Sequence, residues 1–372
     1  MRRVASTPRP GHAATLEAQG LSFHDLDDYW NEAACYEFTP AEVDVLEEAT
    51  AQLHGMLFEA ACHAVQWGEH ARLGIREEDW PRIAASLSEG DFSLYGRLDL
   101  AWDGVHPPKL LEYNADTPTS VLETAVCQWA WLEDTSPGAD QFNSLHEKLV
   151  ARWRDLPGDG SLRFASLREN EEDWVTVAYL MDTATQAGHA PQWIALEDLG
   201  WDEARGRFVD ESGTPIDTLF KLYPWEWMLR EDFGTKVDRR STRFVEPLWK
   251  SLLSNKGILA LLWEMYPDHE LLLPAYLEPG RLQSFARKPL HAREGANVEL
   301  VREGACIARA DGPYGAGPFV EQALSPLPCF DGQYAVIGSW LVDGEPAGMC
   351  LREDPTPITG NRSRFVPHRI VP

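Results

Sequence analysis

Between residues 94 and 120 the chain places two pairs of polar side chains where they could hold metal ions. The first run, Leu94-Tyr-Gly-Arg97-Leu-Asp99-Leu-Ala-Trp102, has the period-two alternation of a half-buried strand. Arg97 and Asp99 are two apart and so share one face. The second run, Lys109-Leu-Leu-Glu112-Tyr-Asn114, puts Glu112 and Asn114 on one face by the same rule. Asp103-Gly104 and Pro107-Pro108, lying between the runs, predict a return connection. If the strands pair, one patch carries two carboxylates, an amide oxygen and a guanidinium. Mg²⁺ takes hard oxygen ligands and usually keeps phosphate oxygens in its shell. Arg97 beside such ions could contact a transferring phosphoryl group. The same alternation also describes an ordinary solvated strand face.

The second half adds weaker signals. Ser254-Asn255-Lys256 precedes a helix, and Arg287-Lys288-Pro289 ends a strand. A lysine can hold a phosphate as a point charge. The loop Arg293-Glu-Gly295-Ala-Asn297 contains the glycine and small residues that let backbone N–H groups approach phosphate oxygens, and it equally suits a plain hairpin turn. Neither a G-x-x-x-x-G-K-[ST] loop nor a G-x-G-x-x-G helix opening occurs. Phe319-Val-Glu321-Gln322-Ala-Leu324 reads as a strand running into a proline-rich segment, an edge that could offer backbone groups to an adenine.

These residues need elements to position them. The 372 residues, 44% hydrophobic and 25% charged, fit a soluble globular protein of one large or two to three ordinary domains. A net charge of −26 argues against nucleic acid or an anionic membrane as partner, though not against a polycation such as a polyamine. Six scattered cysteines without C-x-x-C pairs read as reduced, and no signal sequence or 18-residue apolar run is present. A cytoplasmic protein is expected. The fifteen tryptophans suit core and interface packing.

Residues 1–20 are expected to form a loose tail. Residues 21–135 are expected to be helical, with the hairpin that carries the metal site. Thr39-Pro40-Ala-Glu42 is a capping box with proline at the first helical position, followed by an apolar stripe at helical spacing. Another helix is expected from Thr117-Pro118. Residues 136–250 alternate helix and strand, an α/β substrate region. Residues 251–372 are strand-rich, with Asp331-Gly332 and Asp343-Gly344 as hairpin signals, and predict an antiparallel sheet.

Taken together, the chain resembles the glutathionylspermidine synthase family, the synthetase domain of the ATP-grasp type. The matching stretches are G-R-L-D at Gly96–Asp99, L-L-E-Y-N-A-D-T-P-T-S at Leu110–Ser120, F-K-L-Y-P-W-E-W-M at Phe220–Met228 and W-K-S-L-L-S-N-K at Trp249–Lys256. They continue with R-K-P-L-H-A-R-E-G-A-N-V at Arg287–Val298, I-G-S-W-L-V at Ile337–Val342, and L-R-E-D with S-R-F-V-P-H near the C-terminus. The resemblance implies an ATP-grasp-like fold of mixed α+β and α/β character, with an N-terminal α/β pre-ATP-grasp region and a C-terminal antiparallel-sheet ATP-binding region. It implies an ATP- and Mg²⁺-dependent ligase that turns a carboxylate into an acyl phosphate, which an amine attacks. By the same resemblance Asp99, Glu112 and Asn114 would hold two Mg²⁺, and Arg97 would stabilise the phosphoryl and acyl-phosphate states. Lys256 and Lys288 would hold ATP, and the loop with Gly295 and Asn297 would close over its phosphates. Glu321, Gln322 and Leu324 would line the adenine, and Arg352 would be a late phosphate or intermediate contact. Thr119, Ser120, Glu171 and Glu172 would fall in the region of the acceptor and the thiol peptide. The partners implied are a small-molecule or peptide carboxylate and an amine, a polyamine among the candidates. No room is left for the amidase domain of bifunctional members. Two other readings stay open: a catalytically silent nucleotide-binding module, and a sugar-active protein with paired carboxylates.

Overall fold

The computed structural model describes residues 1–158, 160–238, 240–315, 317–361 and 363–372. At its centre lies a six-stranded sheet. The hairpin Tyr95–Ala101 and Lys109–Asn114 continues into Gln333–Val342, then Glu345–Asp354 and Arg364–Val366, all antiparallel, with Cys329–Phe330 alongside. The return connection follows from local chemistry. Asp103 Oδ1 accepts the Val105 and His106 amides at 2.9 Å, and Gly104 takes the left-handed φ of 82°.

One face of this sheet is apolar. Leu98, Leu100, Ile337, Leu341, Met349 and Leu351 bury there with Leu46, Leu53, Leu57 and Ala60 of the helix Pro40–Trp67. That helix begins as the sequence predicts: Thr39 Oγ1 accepts the Glu42 amide while the Glu42 side chain accepts the Thr39 amide. Each such leucine contributes about 2 kcal/mol by leaving water. On the opposite face Tyr95, Trp340, Val342 and Cys350 bury in a second apolar cluster, and Arg97, Asp99, Glu112 and Asn114 lie beside them.

Two further sheets flank that second face. The five-stranded one is antiparallel, in the order Ala275–Tyr276, Phe319–Ala323, Phe285–Pro289, Glu299–Arg302, Ala305–Arg309. The four-stranded one is parallel, in the order Arg243–Val245, Thr218–Lys221, Leu162–Ser166, Gln192–Ala195, and packs the helices Leu145–Arg154 and Glu171–Gln186. Among the described residues no helix is long and apolar enough to cross a membrane. All six cysteines are unpaired, Cys35, Cys127 and Cys350 buried and Cys62, Cys306 and Cys329 exposed.

Three expectations need correction. Residues 1–20 are not a loose tail: Arg2–Ala5 pairs with Ala34–Phe38, which also pairs with His368–Ile370, and His12–Ala18 is helical. The charges that suggested a tail are used up in pairing, Arg2 with Glu37 and Arg3 with buried Glu353. The helix expected from Thr117 begins only at residue 121, because Ser120 sits at φ 69°, and its turn Glu123–Cys127 is π-helical. The strand Phe319–Ala323 is internal to its sheet and is not an edge.

Candidate active site

In the hairpin register Asp99 stands opposite Glu112 and Arg97 opposite Asn114. All four side chains line a cleft of about 620 Å³ between the six-stranded sheet and its two neighbours. Arg97 donates to Asp99 from Nε at 2.7 Å and from Nη2 at 3.2 Å, and to the Thr119 carbonyl from Nη1 at 2.9 Å. Its guanidinium lies 5.6 Å from the Trp340 ring centre. Room for it comes from Gly338, which faces Asp99 across the strands: a Cβ there would stand 2.7 Å from Arg97 Cδ and 2.7 Å from Cys350 Sγ. Burial opposes the Arg97 charge, but the Asp99 carboxylate holds its pKa above the usual value.

Asn114 Nδ2 donates to Asp99 Oδ2 at 3.1 Å and reaches Glu112 Oε1 at 3.5 Å. Glu112 Oε2 lies 3.1 Å from Lys256 Nζ. Lys288 Nζ donates to the Leu111 carbonyl at 2.9 Å and to Gln322 Oε1 at 2.8 Å, while Gln322 Nε2 donates to the Leu110 carbonyl at 2.9 Å. These bonds tie the five-stranded sheet to the hairpin. Burial would raise the Glu112 pKa, but Lys256 and Lys288 outweigh it and pull it down to about 2. Burial lowers Lys288 to about 8, with Glu112 resisting and Lys256 adding to the fall.

The far wall comes from the carboxyl end of the parallel sheet, where open α/β sheets place ligands. Lys221, fully buried, donates to Asp116 Oδ1 at 2.7 Å, and Asp116 Oδ2 accepts the Trp225 amide at 2.9 Å. This pair holds the acidic tract against the segment whose Tyr223 and Trp227 line the cleft. Arg293 closes the circuit. It donates to Thr117 Oγ1 and, at 3.3 Å, to Glu226. Gly295 also lines the cleft, at φ 67°, and a Cβ there would stand 2.6 Å from the Thr359 carbonyl oxygen. Only glycine accommodates both the backbone and that approach.

The cleft therefore gathers Arg97, Asp99, Glu112, Asn114, Thr119, Lys256, Lys288, Gly295, Gln322, Leu324 and Arg352. Five sequence candidates fall outside its lining. Glu321 alternates with Gln322 and so faces the other side of the strand, where it pairs with Arg287 at 2.7 Å. Asn297 caps a neighbouring turn, its Oδ1 accepting the Tyr314 amide at 2.6 Å. Ser120 is buried behind the cleft, 3.1 Å from the Tyr29 hydroxyl. Glu171 is exposed on the first turn of its helix. Glu172 touches the site indirectly, accepting from Thr119 Oγ1 at 3.0 Å. Its neighbour Asp173 lines the cleft instead, and burial, then Glu172, pushes its pKa up to about 7.

Sequence reasoning missed Asp173, Tyr223, Trp227 and Glu226. The stretch Phe220–Met228 was a signal, since a Lys-x-Tyr-Pro sequence closes a strand, but nothing in it says which side chains turn inward.

The donor set can be tested for a metal. Two carboxylates and one amide on one sheet face are hard oxygen ligands of the kind Mg²⁺ takes. Among the described residues no group of three or more His, Cys, Asp or Glu is arranged to hold an ion. The residues present thus fit the donor chemistry of Mg²⁺ and supply part of its shell.

Comparison with known proteins adds to this geometry. The family described as glutathionylspermidine synthase preATP-grasp matches residues 3–371. A Haemophilus influenzae protein named as an acid–amine ligase is 40% identical over the whole of both chains. The trypanothione synthetase of Crithidia fasciculata is 29% identical over 86% of this chain, and the bifunctional glutathionylspermidine synthetase/amidase of Escherichia coli 26% identical over 90%. The alignments take in only 54% and 59% of those two longer proteins. Among solved structures, a glutathione synthetase-like effector of Globodera pallida superposes with a TM-score of 0.57 at 10% identity, covering 97% of this chain and 96% of the other, a likeness of fold.

Proposed function

The chain belongs to the glutathionylspermidine synthase family, and on that premise we propose that it is an ATP-dependent acid–amine ligase working through an acyl phosphate. The observation that carries the reading is the pairing of Asp99 with Glu112 across one hairpin, flanked by Arg97, Lys256 and Lys288 inside a single cleft. In this reading the γ-phosphoryl group of ATP passes to the substrate carboxylate, and the amine then displaces phosphate, giving amide, ADP and phosphate. Asp99, Glu112 and Asn114 would hold Mg²⁺, two ions being the expected number. Bound there, the ions would neutralise the charge that develops on the phosphates.

The chain's own groups do the rest. Lys256 and Lys288 hold phosphate oxygens, and Gln322 and Leu324 border the nucleotide. Arg97 is locked by Asp99, the Thr119 carbonyl and Trp340, so its donors need no reorganisation as charge develops. The turn at Gly295, packed on residue 359, excludes water from a reactive intermediate. Thr119, Glu172 and Asp173 with the Tyr223 and Trp227 rings form the acceptor end, suited to a cationic amine. The acid is a small-molecule or peptide carboxylate. We place the protein in the cytoplasm, where six unpaired cysteines stay reduced.

A panel of acids and amines, glutathione and spermidine among them, tests this by ADP release with Mg²⁺. The expected result is ADP formation that needs both partners, lost by 10²-fold or more (about 3 kcal/mol) in Asp99→Asn and Glu112→Gln with the fold intact. Tight ATP binding without acid-dependent ADP release anywhere in the panel would point to the silent binding module instead.

A further inference from the structure

Each carboxylate of the ion-binding patch already has a resident cation. Arg97 holds both oxygens of Asp99, and Lys256 stands 3.1 Å from Glu112. The two lysines beside Glu112 differ in how they are held. Lys288 is fixed by Leu111 and Gln322, acceptors from two different sheets. The other acceptor of Lys256 is the Ala292 carbonyl, at 2.6 Å, immediately before Arg293 and the Gly295 turn. Of the two, it is therefore Lys256 that takes Glu112 itself as a partner, with one backbone carbonyl as its other acceptor. Moreover, two carboxylates and an amide supply too few ligands for a bare dication, and no larger acidic or histidine group is present among the described residues.

We propose that Lys256 stands in for a divalent cation at Glu112 in the nucleotide-free protein, and gives up that position only when nucleotide phosphates draw its ammonium away. The proposal rests on the ligase reading and deepens it. A dication and an ammonium repel at so short a distance inside a cleft of low dielectric constant. Triphosphate oxygens remove the conflict by offering Lys256 a new partner and the ion its missing ligands. Metal and nucleotide then assist each other's binding by the same factor. The site stays closed to stray divalent cations while no nucleotide is bound.

Mn²⁺ binding, followed by electron paramagnetic resonance of the free ion, tests this without knowledge of the acid or amine. Wild-type protein should bind Mn²⁺ alone at least tenfold more weakly than with a non-hydrolysable ATP analogue, free and analogue-bound Mn²⁺ being accounted for. Lys256→Met should bind Mn²⁺ alone at least tenfold more tightly than wild type, and adding Glu112→Gln should abolish the gain. Lys256→Gln serves if the methionine variant fails to fold, circular dichroism deciding. Unchanged Mn²⁺ affinity in the folded Lys256 variants overturns this inference and leaves the ligase reading standing. Failure of the analogue to bind wild type in the presence of Mn²⁺ overturns both.

Discussion

Gly338 lets a guanidinium lie across a strand. The sequence offers I-G-S-W at Ile337–Trp340, and nothing local demands a glycine there, since its backbone is ordinary strand. The demand comes from Arg97 on one side and Cys350 on the other, each 2.7 Å from where a Cβ would be. Gly338→Ala should cost about 1–3 kcal/mol by overpacking and shift Arg97 by a fraction of an ångström. Because a misplacement of about 1 Å costs activity by about 10²-fold, this smaller shift should lower turnover by up to about that factor. Denaturant titration and ADP release measure the two effects separately. An alanine variant with wild-type turnover would mean that Arg97 has no positional role. The alternation that put Arg97, Asp99, Glu112 and Asn114 on shared faces was legible because strand periodicity is local. The same periodicity, applied to Glu321 and Gln322, shows that only one of that pair can reach the cleft, and the side could be assigned only once the sheet's partners were known.

At the scale of elements, the helix after the acidic tract carries a carboxyl that its sequence does not explain. Glu123 opens the π-helical turn Glu123–Cys127, is buried, and accepts from the Tyr29 hydroxyl at 2.6 Å. Burial raises its pKa to about 7, with Glu172 adding to the rise and the Tyr29 hydrogen bond and Arg352 opposing it. The folded-state value therefore lies above the unfolded one. Between pH 4.5 and 7 the unfolded chain binds fewer protons at this site, so its contribution to stability falls as pH rises. Glu123→Gln keeps the acceptor for Tyr29 and cannot titrate. Relative to wild type it should gain up to about 3 kcal/mol on going from pH 4.5 to pH 7.5. Urea unfolding at both values checks this, and a difference independent of pH would refute the shifted carboxyl.

At the scale of the molecule, the ends of the chain complete the sheets its middle begins. Tyr95–Ala101 pairs with Gln333–Val342, and Ala34–Phe38 with His368–Ile370. The hairpin that carries the carboxylates thus has a neighbour more than 200 positions away in the chain. A fragment ending at residue 332 leaves this central strand with an open edge and removes Ile337, Leu341, Met349 and Leu351 from the core of the helix Pro40–Trp67. We expect it to lose cooperative unfolding and measurable ATP-analogue binding, read by calorimetry. A fragment that melts cooperatively and binds the analogue with wild-type affinity would contradict the dependence of the hairpin on the C-terminal strands of the six-stranded sheet.

What the amino-acid order determined alone is whatever depends on neighbours within a turn or a strand. The capped helix at Thr39, the paired-carboxylate hairpin and the alternation of helix and strand through residues 136–250 belong here, because capping, pleat and turn chemistry act over two to four residues. Tertiary structure alone decided which face of each element meets another. It turned Asp173 inward and left Glu171 in water, put Ser120 behind the wall, joined Lys288 to the carbonyl of Leu111, and drew the first residues into a sheet with the last. Those outcomes depend on packing between segments far apart in the chain, where burial and pairing of charge outweigh any local preference.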